Sequence, residues 1–375
     1  MLWNRNFSLL ITANFLLYIA VYMLFPLLHQ WMVADWNCTS LEAAGMIAIF
    51  GVALFLPGIF NNYLVDAFAR KTVCTRSILG IGILTLLYPY MTAEWMVVVL
   101  RLLQGALFGI ALMATGSTLV IDVTPSNNRN SANRVFTWSG ILGLLVGLFV
   151  GVCGHGLFPF AYLLYFSAAL CLLAVILDSL VEVPFRAPLG VPVCSLDRFF
   201  LFRTFLPGLN MMTVPMVLGM LFSSITDTFF YLCIGVGFLI YLIIRLVFTR
   251  PMNGRLQIFI GQLLTAAGLM ALLKADGSTF LYVGGVLVGV GAGFSIGQFL
   301  KMMIMLPLHC ERGTGYHTYQ LLWELGVMIG LMLGMTVQRP VTESVYVWAM
   351  FICLIGFVFY QVFIHSYFNR NYKIH

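Results

Sequence analysis

Long apolar runs recur along the chain at regular intervals, separated by short polar segments rich in Arg, Asn, Asp and Pro. A membrane-spanning helix needs about 20 mainly apolar residues. By that measure the pattern predicts twelve spans. The first six cover Phe7–His29, Ala43–Tyr63, Val73–Tyr90, Trp95–Asp122, Val135–Cys153 and Phe158–Val181. The second six cover Phe205–Ser223, Phe229–Phe248, Leu256–Leu273, Thr279–Met305, Thr318–Val337 and Val345–Phe363. The fold class this implies is an all-α membrane protein.

Composition supports the same class. Of 375 residues, 61% are hydrophobic and 9% charged, and mean hydropathy is +1.00. A soluble domain carries about 25% charged residues, so a water-soluble fold of this size could not cover its surface. Gly (35) and Phe (32) are abundant, and Gly is commoner in membrane helices than in soluble ones. The net charge of +6 does not indicate a nucleic-acid partner, because the basic residues form no patch or stripe. The eight Cys show no C-x-x-C pair, and most read as small packing residues within apolar runs. Cys38 lies in a polar loop with no loop partner, so no disulfide is expected. Trp3, Asn4 and Arg5 lead straight into the first apolar run without an A-x-A site, so no cleavable signal peptide is expected.

Lys and Arg in short loops set orientation. Of the 19 basic residues, one side collects Arg5, Arg70, Lys71, Arg76, Arg129, Arg134, Arg186, Arg198, Arg203, Arg250, Arg255, Arg312, Arg370 and Lys373. The other side holds Lys274 and Arg339, while Arg101, Arg245 and Lys301 lie inside apolar runs. Both termini are therefore expected in the cytoplasm. The segment 182–203 (EVPFRAPLGVPVCSLDRFFLFR) is the longest polar interruption. It is read as a cytoplasmic linker between an N-terminal six-helix bundle, residues 1–181, and a C-terminal one, residues 204–375. Two halves of the same in-out sense suit parallel repeats.

Glycines recur every fourth residue at Gly143, Gly147 and Gly151, at Gly285, Gly289, Gly293 and Gly297, and at Gly326, Gly330 and Gly334. That spacing places each set on one helix face, where two backbones can approach closely. Pro57 and Pro215 fall inside spans and are expected to kink them.

The loop after the second span reads Asn62-Tyr63-Leu64-Val65-Asp66-Ala67-Phe68-Ala69-Arg70-Lys71. It resembles the major facilitator signature G-x-L-a-D-r-x-G-r-k, with the Asp and the terminal basic pair in register. It departs at Asn62 and Ala69, where the family has Gly, and at Ala67, where it has a basic residue. Arg101-Leu102-Leu103-Gln104-Gly105 is similar to the family's R-x-x-q-G in helix 4. Helix 5 keeps the glycines of the antiporter signature but has Leu148 in place of its Pro. Arg312-Gly313-Thr314 with Trp323-Glu324-Leu325-Gly326 looks like the R-G-T…W-D-x-G run of bacterial drug-efflux-like members. With twelve spans over the whole chain, these motifs identify a resemblance to the major facilitator superfamily. It implies two six-helix bundles that alternate access around a central cavity.

The resemblance also implies that Asp66 meets the start of helix 11, where backbone N–H groups and the helix dipole favour an anion. It implies that Arg70 meets an acid at the end of helix 4, a place held by Asp122. Asp66, Arg70, Lys71 and Asp122 are then a gating set; the bland alternative is solvated charges that only orient the chain. Arg101 lies about 9 Å into helix 4 at 1.5 Å per residue. An Arg at mid-depth costs roughly 2.5–3.5 kcal/mol, so it should face a cavity or a partner, with Gln104 on the same face. Arg245 and Lys301 come late in their helices and are expected to snorkel. Glu324 is the one acid well inside the second half and shares a face with Gln320, one turn earlier. It reads either as a proton-coupling carboxylate or as a structural ion pair with Lys301. All six His fall at helix ends or in loops without metal-ligand spacing, so no metal site is expected. Asn37-Cys38-Thr39 is a formal glycosylation sequon.

The functional expectation is secondary transport of a small amphipathic molecule by alternating access, as proton-coupled efflux from a bacterial inner membrane. Tyr18, Tyr22, Trp138, Met212, Gln320 and Trp323 join Arg101 and Gln104 as substrate-cavity candidates; aromatics and Met make adaptable pockets. The same residues serve equally as core or lipid-facing side chains. Leu148 keeps open a proton symporter or facilitator for a metabolite. A lipid-modifying membrane enzyme would need a convergent acid, base or metal set, and polar residues here are spread singly, so an enzyme is not expected. No cofactor is expected beyond a proton gradient. The expected partners are the small-molecule substrate and membrane lipids, with a monomer as the working unit.

Overall fold

The computed structural model describes residues 2–183, 189–248, 252–274, 277–308, 310–337 and 343–372. Among these every regular element is helical. Eleven helices are long and apolar enough to cross a membrane, and one bent pair makes a twelfth. In the first half they are α1 (Arg5–Asp35), α2 (Ser40–Ala67), α3 (Arg70–Tyr90), α4 (Glu94–Asp122), α5 (Ser126–His155) and α6 (Phe160–Ser179). In the second half α7 is the bent pair (Phe202–Met211 with Thr213–Ser224). It is followed by α8 (Thr228–Val247), α9 (Gly254–Leu273), α10 (Ser278–Met305), α11 (Arg312–Val337) and α12 (Glu343–Tyr372).

Local chemistry sets the starts of these helices. Asn4 caps α1 by accepting from the Phe7 N–H at 2.8 Å. Thr39 and Glu42 form a reciprocal capping box at α2, with the Thr39 N–H donating to Glu42 at 2.8 Å. Asp227 accepts from the first N–H groups of α8, and Asn253 does the same for α9. The two prolines act as a missing N–H and a ring clash dictate. Pro57 sits where α2 breaks into a 3₁₀ turn, Gly58–Phe60. Pro215 follows the 40° bend of α7 at Met212. In α4, Met113–Leu119 winds as a π-helix, a local widening that often marks functional sites.

By packing, the chain divides into two compact units, Met1–Leu201 with His309–Leu321, and Phe202–Leu308 with Leu322–His375. The segment 182–203, read from sequence as a linker, is therefore shared: its described part up to Leu201 belongs with the first unit. There the Leu189 N–H donates to Asp66 O and the Ser195 N–H to Ile59 O, both at 2.9 Å.

In the first unit α1 packs along α5 and α6, α3 along α6 and α4, and α2 along α4. The α5 glycines permit the closest of these approaches. A Cβ at Gly143, Gly147 or Gly151 would lie 2.5–2.8 Å from the carbonyl oxygens of Phe15, Ile19 and Met23. In the second unit α10 packs on α8 and α9, and α12 on α9 and α7. Gly237 of α8 and Gly289 of α10 each lie against the facing backbone, and Gly330 of α11 lies against Met216 of α7. These are the surfaces that the fourfold glycine spacing predicted.

One boundary differs in a way that matters. Helix α11 begins at Arg312 rather than Thr318, because its first turns are polar and a hydropathy window registers only the apolar part. His317, expected at a helix end, is inside the helix and 1% exposed.

Candidate functional site

Four charged side chains meet at one end of the first unit. Arg70, the first residue of α3, donates from Nη1 to Asp122 Oδ2 at 2.7 Å and from Nη2 to Asp66 Oδ1 at 3.1 Å. The Arg70 and Asp122 side chains are only 9% and 4% exposed. Arg198 closes the set, with Nε 3.2 Å from Asp66 Oδ2 and 3.2 Å from Asn62 Oδ1. Its backbone φ of 58° is the left-handed conformation that costs a non-glycine residue roughly 1–2 kcal/mol. Lys71 stands apart and donates to Val181 O at 2.8 Å.

Asp66 was expected at the first turn of α11. Its oxygens are instead taken by Arg70 and Arg198, whose guanidinium groups outcompete backbone N–H donors for a carboxylate. The start of α11 is held by other groups. The Leu201 N–H donates to Thr318 Oγ1 at 2.9 Å, and Asn61 Nδ2 lies 3.3 Å from His317 Nε2. Thr137 and Tyr316 share a hydroxyl hydrogen bond of 2.9 Å. Gln320 lies against Gly116 of the π-helical segment, with Nε2 3.0 Å from where a Cβ would stand.

A second cluster surrounds Arg101 of α4, which is fully buried. Its guanidinium carbon sits 4.4 Å from the Phe25 ring centroid and 4.7 Å from that of Phe50. Nη1 donates to Gln104 Oε1 at 3.2 Å, and Tyr88 OH donates to the same oxygen at 2.7 Å. Gln104 Nε2 in turn donates to Thr85 at 3.0 Å. Arg101 Nε and Nη2 have no hydrogen-bond partner, and no carboxylate among the described residues lies within ion-pair distance. The aromatic cluster continues along α1. Tyr22 stacks on Phe25 at 4.8 Å, Tyr18 on Tyr22 at 5.9 Å, and Phe108 meets Tyr18 edge-on at 5.3 Å. Tyr18 and Tyr22 thus pack in the same cluster as Arg101 and Gln104. Trp138 does not: it is half-buried on α5, its indole N–H is unpartnered, and it makes no ring contact with them.

Glu324 lies in the second unit and is completely buried. Lys301, proposed from sequence as its counter-ion, is exposed and forms no ion pair with it. Its long stem carries the ammonium outward, as snorkelling requires. Trp323, 3% exposed, and Met212, 6% exposed at the α7 bend, belong to the same unit. Sequence reading passed over Arg198, Asn61, Tyr316 and His317. The signal for Asn61 was a polar pair inside an apolar run; for Arg198 there was none.

The sequence model of the Major Facilitator Superfamily matches residues 10–189. Two curated relatives are each 26% identical. The staphyloferrin B transporter of Staphylococcus aureus matches over 187 residues, 48% of this chain and 43% of that protein. Multidrug resistance protein MdtG of Escherichia fergusonii matches over 183 residues, 47% of this chain and 44% of that protein. The match thus spans under half the length of these relatives. Among solved structures, the human organic anion transporter MFSD10 (TETRAN) superposes with a TM-score of 0.71 at 14% identity, covering 95% of this chain and 98% of that one. The nucleoside transporter NupG superposes with a TM-score of 0.69 at 14% identity, covering 96% and 100%. The superfamily model thus matches the first part of this integral membrane protein, and the described chain shares the fold of these transporters.

Proposed function

We propose that the protein is a secondary transporter that moves a small amphipathic molecule across a bacterial inner membrane by alternating access. The observation that carries this reading is the Arg101 cluster. A guanidinium without a counter-ion deep in a membrane helix costs about 2.5–3.5 kcal/mol on insertion, and a purely structural role would be served by an apolar residue without that cost. Two aromatic faces and two open N–H donors supply apolar contact and polar recognition to the same molecule. Efflux has support from the relatives' names, one of which is a multidrug resistance protein. Glu324, buried and on a different helix from the exposed Lys301, is the candidate proton carrier, as the one acid well inside the second half's spans. The Asp66–Arg70–Asp122–Arg198 cluster is the candidate gate. Residues 1–181 and 204–375 are the candidate moving bundles, with both termini in the cytoplasm.

Symport or facilitated diffusion is the second reading, favoured by Leu148 standing where antiporters of the family carry Pro. Proteoliposomes loaded with candidate amphiphiles, with imposed pH gradients of either sign, separate the two. Efflux by proton exchange accelerates loss from the vesicles when the outside is acidic. Symport concentrates substrate in the direction of proton flow. No gradient-dependent movement of any compound in a panel of drugs, organic anions and nucleosides would remove the transport reading.

A further inference from the structure

A cavity of about 700 Å³ opens beside the charge cluster, within the first unit. Its volume is that of a small-molecule site, not of an ion-sized gap. Four arginines line it: Arg70, Arg129, Arg198 and Arg312. Arg70 and Arg198 are committed to Asp66 and Asp122. Among the described residues the side chains of Arg129 and Arg312 have no ion pair or hydrogen bond, and the Nε of each is buried without an acceptor. A buried guanidinium donor left without an acceptor costs more than a kcal/mol. Two of them facing one cavity therefore mark a place where acceptor oxygens are missing.

The backbone adds to the same polarity. Helix α11 starts at Arg312, and Arg312, Gly313 and Thr314 of its first turn line the cavity; first-turn N–H groups have no carbonyl of their own helix to bond. Ser126, Arg129, Asn130 and Asn133, from the start of α5, line the opposite part. The first turns of two helices thus border one space, where the helix dipoles favour an anion. Asn133 is 3% exposed and lines the cavity with a side-chain oxygen that has no donor, which a protonated oxygen of the anion could supply. The remaining acids do not neutralise this pair. Asp122 is taken by Arg70, Glu311 is already engaged within the fold, and Asp197 is exposed at the rim.

We propose that this cavity is a binding site for a phosphate-type oxyanion, held between Arg129 and Arg312 over the first turns of α5 and α11. The proposal is independent of the transport reading. Planar guanidinium forks match paired anionic oxygens, and the volume admits a phosphorylated small molecule or a lipid headgroup. Bridging the starts of α5 and α11, such an anion would stiffen the end of the unit that also carries the charge cluster.

Calorimetric titration of the full chain in phosphatidylcholine nanodiscs, with inorganic pyrophosphate as the probe, tests it. Saturable binding is expected, weakened about tenfold by Arg129→Gln or Arg312→Gln, the loss expected for one charge-assisted hydrogen bond. Lys274→Gln should leave it unchanged. Because Arg129 and Arg312 are unpaired, both variants should keep the parent's unfolding temperature, which separates loss of the site from loss of the fold. A second arm adds phosphatidic acid to the nanodiscs. Competition with pyrophosphate identifies a lipid headgroup as the source of the oxyanion, and unchanged binding identifies a soluble one. Absence of saturable binding, or equal affinity in the Arg129→Gln, Arg312→Gln double variant, overturns the site.

Discussion

Replacing Arg70 by Met removes the residue on which two buried carboxylates depend. Arg70 contacts Asp122 at 2.7 Å and Asp66 at 3.1 Å, and the two acid side chains are only 4% and 10% exposed. Breaking a buried pair by deleting one partner costs about 3–5 kcal/mol, because the other charge stays buried. Arg198 still holds Asp66 in the variant, so the low end, about 3 kcal/mol, is expected. Asp122→Asn in the Arg70→Met background should recover about 2 kcal/mol, since it removes the carboxylate charge that Arg70 faced while keeping the side chain's shape. Lys71→Gln is the milder comparison: that ammonium donates to a backbone carbonyl at a partly exposed position and acts on Asp178 through space without a direct ion pair, and the loss should stay under about 1 kcal/mol. Equilibrium unfolding in mixed micelles measures all three variants against the parent protein. A loss under about 0.5 kcal/mol for Arg70→Met, or no recovery on adding Asp122→Asn, would show that these are solvated charges that only orient the chain.

Asp66→Asn should leave the protein folded in the membrane but slow transport severely, since it releases Arg198; wild-type rates in proteoliposomes would remove the gate from Asp66. Glu324→Gln keeps shape and hydrogen bonding but cannot titrate, so it should retain substrate exchange and lose pH-driven accumulation. Undiminished accumulation against a gradient would place the proton site elsewhere. Gly237→Val should lower expression and thermal stability sharply, because any Cβ there enters the α10 backbone; an unaltered unfolding temperature would mean that α8 and α10 can separate without loss. Exposed Cys194 in the segment after α6 should react with an impermeant maleimide only after cells are permeabilised, whereas Ser278→Cys should react in intact cells. The reverse pattern would invert the topology.

The number and order of spans, the membrane class and the glycine-lined helix faces are properties of short stretches of sequence. Hydropathy over about 20 residues and a four-residue repeat report them directly. Family motifs also placed Asp66, Arg70 and Asp122 in one set, because their register within α2, α3 and α4 is local. What the tertiary structure decided are the contacts between residues far apart in the chain. Arg198 reaches Asn62 across 136 positions, and only the docking of the segment after α6 against the end of α2 aims it at Asp66. Lys301 and Glu324 sit on successive helices, yet the sequence does not encode the rotation of each helix about its axis, and that rotation turns one outward and the other into the core. Arg129 and Arg312 read as ordinary topology charges until the starts of α5 and α11 are brought to one cavity. Hydropathy sets which residues leave water; helix rotation and long-range docking set which of them meet.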